Sequence, residues 1–125
     1  HGSTYGGNPL ACAVGCAVMR HVADPAFLAD VNRRAGLLRQ TLESLVAAHP
    51  DVFETVRGAG FMLGLKCKVP NAAIVKAGYA AQVITVPAAD NVVRLLPPLT
   101  LTEDEISVAR DRLDRAATAY QAEPA

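Results

Sequence analysis

The spacing of hydrophobic positions changes period twice along the chain. Over residues 9–23, Ala, Val and Leu follow one another with almost no charge before Arg20. Asn8-Pro9 is an N-cap followed by a first-turn proline, so this stretch is expected to be a helix. A helix that is apolar on most sides is expected to be buried on most sides. Asp24-Pro25 repeats the device and opens a second helix. There Leu28, Val31, Ala35, Leu38, Leu42 and Leu45 keep a 3–4 spacing, while Asp30, Arg33, Arg34, Arg39 and Glu43 fall mostly on other faces. This is an amphipathic helix with one stripe to pack, closed by His49-Pro50.

From Asp51 the pattern becomes strand-like. Residues 52–56 form one run, Arg57-Gly58-Ala59-Gly60 breaks it, and 61–67 form a second. Strands joined through Gly-x-Gly make either a hairpin or a bulged, bent pair. Pro70-Asn71 caps a short helix over 72–76, with Gly78 as its terminator. Residues 83–86 read as a strand, 87–91 as its turn and 92–96 as the partner strand, before Pro97-Pro98 ends the sheet. Thr102-Glu-Asp-Glu105 is a capping box whose three acids suit a helix N-terminus. Ile106, Ala109, Leu113, Ala117 and Tyr120 give the last helix its apolar stripe, and Pro124 lies in a tail expected to fray. The expected architecture is a small α+β unit of about four strands with helices on one face, preceded by a long helical entry. No repeat or low-complexity segment interrupts it.

At 125 residues the chain suffices for one domain with a real core. Hydrophobic residues make up 51 %, charged residues 19 %, and the net charge is zero. No basic excess recommends nucleic acid as a partner, and no apolar run approaches the roughly 18 residues of a membrane span. Three cysteines, an odd number, argue against a disulfide framework and for a reducing, cytoplasmic setting. Cys12 and Cys16 share a helix face near Met19 and His21, but a metal would want more ligands. They are expected to be small core thiols, as is Cys67.

Two places carry candidate chemistry. The opening stretch, His1-Gly2-Ser3-Thr4-Tyr5-Gly6-Gly7-Asn8-Pro9-Leu10, combines glycines, two hydroxyls and a helix start. Read from its residues, it is either an ordinary loop leading into a helix or an anion-binding loop that offers hydroxyls and backbone N–H groups. Arg94 is the only charged residue in an apolar run from Val92 to Leu101. An unpaired buried charge is expensive, so its guanidinium either snorkels to water or grips a carboxylate with two parallel hydrogen bonds. Arg57, ahead of two flexible residues, is either a solvated strand-end arginine or a functional one, and it is left outside the candidate site.

The segment HGSTYGGNPLA, His1 to Ala11, resembles the signature of class III pyridoxal-phosphate aminotransferases, the group that contains acetylornithine and ornithine aminotransferases. A second match, Asn91-Val-Val-Arg-Leu-Leu-Pro-Pro-Leu99, comes at the expected distance, and its wording resembles the acetylornithine branch more than the ornithine branch. The resemblance covers His1 to about Ala117. It implies the C-terminal small domain of a fold type I transferase over residues 24–121, preceded by a cofactor-phosphate loop and linking helix over 1–23. By the same resemblance, Ser3 and Thr4 reach the pyridoxal phosphate of the other subunit in a homodimer. The resemblance likewise implies that Arg94 holds the carboxylate of an amino acid or a 2-oxo acid such as 2-oxoglutarate.

In this family a lysine forms the Schiff base and an acid pairs with the pyridinium nitrogen, both upstream of this segment. Lys66, Lys68 and Lys76 lack the family's lysine motif. The chain is therefore expected to be a fragment that is inactive alone, with no catalytic residue and no metal site of its own. A non-catalytic module that kept the fold, or a relative acting on ornithine, succinylornithine or 4-aminobutyrate, is the alternative.

Overall fold

Asn8 and Asp24 start two consecutive helices in the same way. In a computed structural model describing residues 2–122, Asn8 Oδ1 accepts from the backbone N–H of Leu10 at 2.9 Å and of Ala11 at 3.3 Å. Asp24 Oδ1 accepts from the N–H of Ala26 at 2.9 Å, and each cap is followed by a first-turn proline. These are α1 (Pro9–Val22) and α2 (Pro25–Ala48). His1 and the tail around Pro124 lie outside the described residues.

The burial expected of α1 is not found. None of its residues is buried; Leu10, Val14, Val18 and Met19 are exposed, and so are Cys12 and Cys16, which are not core thiols. The apolar pattern marks surface that seeks cover, but it does not say that the cover lies in the same chain. The main contact of α1 is with α2, where His21 packs on Phe27 with ring centroids 4.4 Å apart.

The core forms between α2, α3 (Asn71–Ala80), α4 (Glu103–Ala122) and one face of a sheet. Leu38, Leu42 and Leu45 of α2 meet Ile106, Leu113 and Ala117 of α4 and the sheet residues Phe53, Leu63, Leu65, Cys67, Val93 and Leu95. Each large side chain so buried contributes about 1.5–3 kcal/mol from removal of apolar surface from water. Arg34 is a correction to the helix pattern, because it is buried rather than outward. Its Nη1 donates to the Leu101 carbonyl, its Nε sits 2.8 Å from Asp30 Oδ2, and its guanidinium lies over the Phe61 ring at 5.9 Å. A carbonyl hydrogen bond, an ion pair and a ring contact replace most of the water a charged side chain would keep. The buried Nε itself makes no hydrogen bond among the described residues.

The sheet comprises β1 (Phe53–Ala59), β2 (Met62–Cys67), β3 (Val86–Ala88) and β4 (Val92–Leu95), antiparallel throughout in the order β1-β2-β4-β3. β1 and β2 form a hairpin whose register shifts between Phe53 and Thr55. The expected break at residues 57–60 is instead the end of the strand and its turn. Gly58 continues the ladder at φ 105°, where a Cβ would stand 2.1 Å from the Met62 carbonyl oxygen. Only glycine fits there, so it extends β1 rather than ending it.

Two further boundaries differ from expectation. α3 runs past Gly78 to Ala80. A Cβ on Gly78 would lie 2.9 Å from the Val83 carbonyl oxygen, so this glycine permits close approach inside the helix instead of stopping it. The third strand begins at Val86 rather than 83, because Val83 N–H donates back to the Gly78 carbonyl at 2.9 Å. That bond ties the preceding residues to α3 and leaves three for the ladder. The capping box is formed as expected: Glu105 N–H donates to Thr102 Oγ1 at 3.2 Å, and Thr102 N–H donates to Glu105 Oε2 at 2.8 Å.

Candidate functional site

All three sheet-covering helices sit on one face, so the other face of the sheet is open. Register puts Arg57 opposite Gly64, Gly64 opposite Arg94, and Arg94 opposite Val86. These residues form one row across four strands, with Arg57 and Arg94 about 10 Å apart at the usual strand spacing and glycine at the position between them. A Cβ on Gly64 would stand 2.5 Å from Val92 Cγ1. Its absence leaves a shallow hollow of about 280 Å³ lined by Arg57, Gly58, Met62, Gly64, Val92 and Arg94. An apolar floor between two guanidinium groups suits a small carboxylate with a short carbon chain.

Arg94 is exposed and, among the described residues, has no ion-pair or hydrogen-bond partner. The strand context predicted a guanidinium that either faces water or grips an anion, and the open hollow leaves it free for both. Its neighbours differ. Arg57 Nη1 donates to Asp90 Oδ2, and Lys66 Nζ donates to Asp90 Oδ1 at 2.8 Å and to the Asp90 carbonyl at 2.6 Å. The Lys66 ammonium and then the Arg57 guanidinium hold the Asp90 carboxyl below the usual carboxylate range. Sequence reasoning missed Asp90 and Lys66. Lys66, a lone charge in an apolar strand, gave the same signal as Arg94. Asp90 gave none, since an Asp-Asn pair in a turn announces left-handed backbone rather than an ion pair.

Ser3 and Thr4 lie in an exposed turn ahead of α1, in which Gly6 N–H donates to the Ser3 carbonyl at 3.2 Å and Asn8 N–H to the Tyr5 carbonyl at 3.1 Å. Among the described residues, neither hydroxyl has a hydrogen-bond partner, and both suit a phosphate oxygen. Asn8 already occupies the N–H groups of Leu10 and Ala11, so an anion here would meet the loop rather than the helix end. No hydrogen bond or ion pair joins this loop to Arg94 among the described residues. The two candidate sites are separate in this chain. Cys67 is buried beneath the sheet, where burial pushes its thiol up to about 11.

Comparison with known proteins bears on both places. The model of the family described as aminotransferase class-III matches residues 1–117. The chain belongs to the class-III aminotransferases. It is 59 % identical over 125 residues to the acetylornithine aminotransferase of Rhodobacter capsulatus, covering all of this chain and 32 % of that protein. It is 50 % identical over 117 residues to the acetylornithine aminotransferase of Mesorhizobium japonicum, covering 94 % of this chain and 29 % of that protein. The solved N-acetylornithine aminotransferase of Stenotrophomonas maltophilia superposes with a TM-score of 0.86 at 32 % identity, over 94 % of this chain and 33 % of that one. The chain thus spans about a third of the length of the curated relatives it matches.

Membership accounts for the fold: the four-stranded antiparallel sheet with helices on one face is that of a class-III aminotransferase. Aminotransferases of this class depend on pyridoxal phosphate and act on small amino and oxo acids. The donor set of the opening turn fits one side of a phosphate, and the freely presented Arg94 fits a carboxylate. Lys66 is engaged by Asp90, while Lys68 and Lys76 are exposed.

Proposed function

We propose that this chain is the C-terminal part of an acetylornithine aminotransferase, which moves an amino group between N-acetylornithine and 2-oxoglutarate in cytoplasmic arginine biosynthesis. The observation that carries this reading is 59 % identity, over the whole chain, to a protein of that name. Residues 1–23 supply the phosphate loop and linking helix, and 24–121 the small domain. Pyridoxal phosphate, when bound, supplies the electron sink that makes the amino-bearing carbon acidic. The residues of this chain bind and orient. Ser3 and Thr4 hold the phosphate of the cofactor in the partner subunit of a homodimer, donating hydroxyl hydrogens to its oxygens. Arg94 fixes the carboxylate shared by amino donor and oxo acid, using its two parallel N–H groups to set the angle of the carbon skeleton. Catalytic proton transfer belongs to residues outside this chain.

The test compares amino donors in a complete aminotransferase carrying this segment. kcat/KM for N-acetylornithine is expected to exceed that for ornithine and 4-aminobutyrate by at least about tenfold, a difference of roughly 1.4 kcal/mol in transition-state binding. A preference for ornithine would place the protein in that branch. No transamination at all would favour a non-catalytic module.

A further inference from the structure

The open sheet face carries three cations, Arg57, Lys66 and Arg94, and among the described residues only two of them are engaged. Arg57 and Arg94 stand in the same cross-strand row on either side of Gly64 and line the same hollow. Nothing in that row distinguishes the two guanidinium groups as carboxylate partners. What distinguishes them is Asp90. This residue sits in the β3–β4 turn, and its carboxylate draws Arg57 from one side and Lys66 from the other. We propose that Asp90 is a positioning residue that sets the specificity of the Arg94 clamp. By holding Arg57 to the turn, it leaves one free guanidinium beside the hollow and makes that hollow a site for a single carboxylate. The inference rests on the reading of Arg94 as a carboxylate anchor.

The backbone makes this testable. Asp90 has φ 57°, a left-handed conformation that asparagine adopts readily, so Asp90→Asn keeps the turn. Lys66 also donates to the Asp90 backbone carbonyl at 2.6 Å, a contact that the substitution spares. Among the described residues Arg57 has only the carboxylate, so Asp90→Asn weakens the hold on Arg57 more than that on Lys66. Once released, Arg57 faces Arg94 across the hollow, and a molecule with two carboxylates gains a second contact.

The experiment measures competitive inhibition by glutarate against the oxo acid in a complete aminotransferase carrying this segment, with acetate as the single-carboxylate probe. Asp90→Asn is expected to lower the glutarate inhibition constant by about three- to tenfold, to leave that of acetate within about twofold, and to steepen the salt dependence. Adding Arg57→Gln to Asp90→Asn should return the glutarate constant to its starting value. A melting temperature lowered by Asp90→Asn with no change in glutarate inhibition would make Asp90 purely structural and overturn the proposal. So would a gain that survives Arg57→Gln. Arg94→Lys, measured alongside, should weaken glutarate and acetate together. If it leaves both unchanged, the Arg94 reading itself fails, whereas a loss there with no response at Asp90 removes only the present inference.

Discussion

Asn91 and Asn71 bind each other across the turn that precedes β4: Asn91 Oδ1 accepts from the Asn71 backbone N–H at 2.8 Å. Asn91 Nδ2 donates to the Cys67 and Val69 carbonyls, each at 2.8 Å, and Asn71 Nδ2 donates to the Ala88 and Val92 carbonyls at 3.0 and 2.9 Å. The pair ties the ends of β2, β3 and β4 to the start of α3, and Asn91 does so at φ 54°. This clasp fixes the turn that carries Asp90 and the strand that carries Arg94.

Asn91→Gly isolates the contribution of those bonds, because glycine accepts the same backbone angle without strain. Three hydrogen bonds are lost and two backbone carbonyls lose their side-chain partner. The expected cost is about 2–4 kcal/mol in denaturant unfolding. A change below about 0.5 kcal/mol would mean that water replaces the side chain without penalty.

The capping box offers a smaller and independent effect. Thr102→Ala removes the acceptor for the Glu105 N–H and the hydroxyl that donates to Glu105 Oε2 at 3.0 Å. Loss of such a cap costs about 0.5–2 kcal/mol. Among the described residues Thr102 and Asn91 share no hydrogen-bond partner, so the two losses are expected to add. A double variant that departs from the sum by more than about 0.5 kcal/mol would indicate coupling through β4.

How much of this was legible in the sequence depends on what each residue needs. The Asn8, Asp24 and Thr102 caps act within three residues, and the pattern named all three. The α2 stripe repeats with the helix, so Leu38, Leu42 and Leu45 were readable as core. Arg34 was not, because two of its three partners, Leu101 and Phe61, are distant in sequence. Gly58 and Gly78 were taken for breaks, since the carbonyls that exclude a side chain at each belong to another element or loop. The exposure of α1 follows the same rule: its apolar surface is written in the chain and its cover is not. At the candidate site, Arg94 stood out as a lone charge in an apolar run. The pairing that sets Arg57 apart from it comes from strand register, which local spacing leaves open.

Cys67 gives a pH dependence. Its thiol is raised from 9.0 to about 11, chiefly by burial, so the folded chain keeps the proton more tightly than the unfolded one does. That stabilisation is fully present below pH 9 and is lost as pH rises from 9 toward 11, an expected fall of about 2–3 kcal/mol. Cys67→Ser should flatten this part of the unfolding profile. Iodoacetamide at pH 8 is expected to label the exposed Cys12 and Cys16 and to spare Cys67 until the chain unfolds. Equal labelling of all three in the folded chain would contradict the burial of Cys67.

Arg94 separates a binding role from a structural one. Arg94→Lys keeps the positive charge and loses the two-pronged geometry. In a complete aminotransferase carrying this segment, kcat/KM is expected to fall by about 10- to 100-fold, equivalent to roughly 1–3 kcal/mol. Both half-reactions should suffer, because amino donor and oxo acid present a carboxylate to the same guanidinium, while the cofactor stays bound through other groups. Stability should move by less than about 0.5 kcal/mol, since Arg94 is exposed and unpaired among the described residues. A structural arginine would show the opposite pattern, with a lowered melting temperature and unchanged kinetics. Measuring kcat/KM for each substrate beside thermal unfolding distinguishes the two, and a loss confined to one half-reaction would show that donor and oxo acid do not share this anchor.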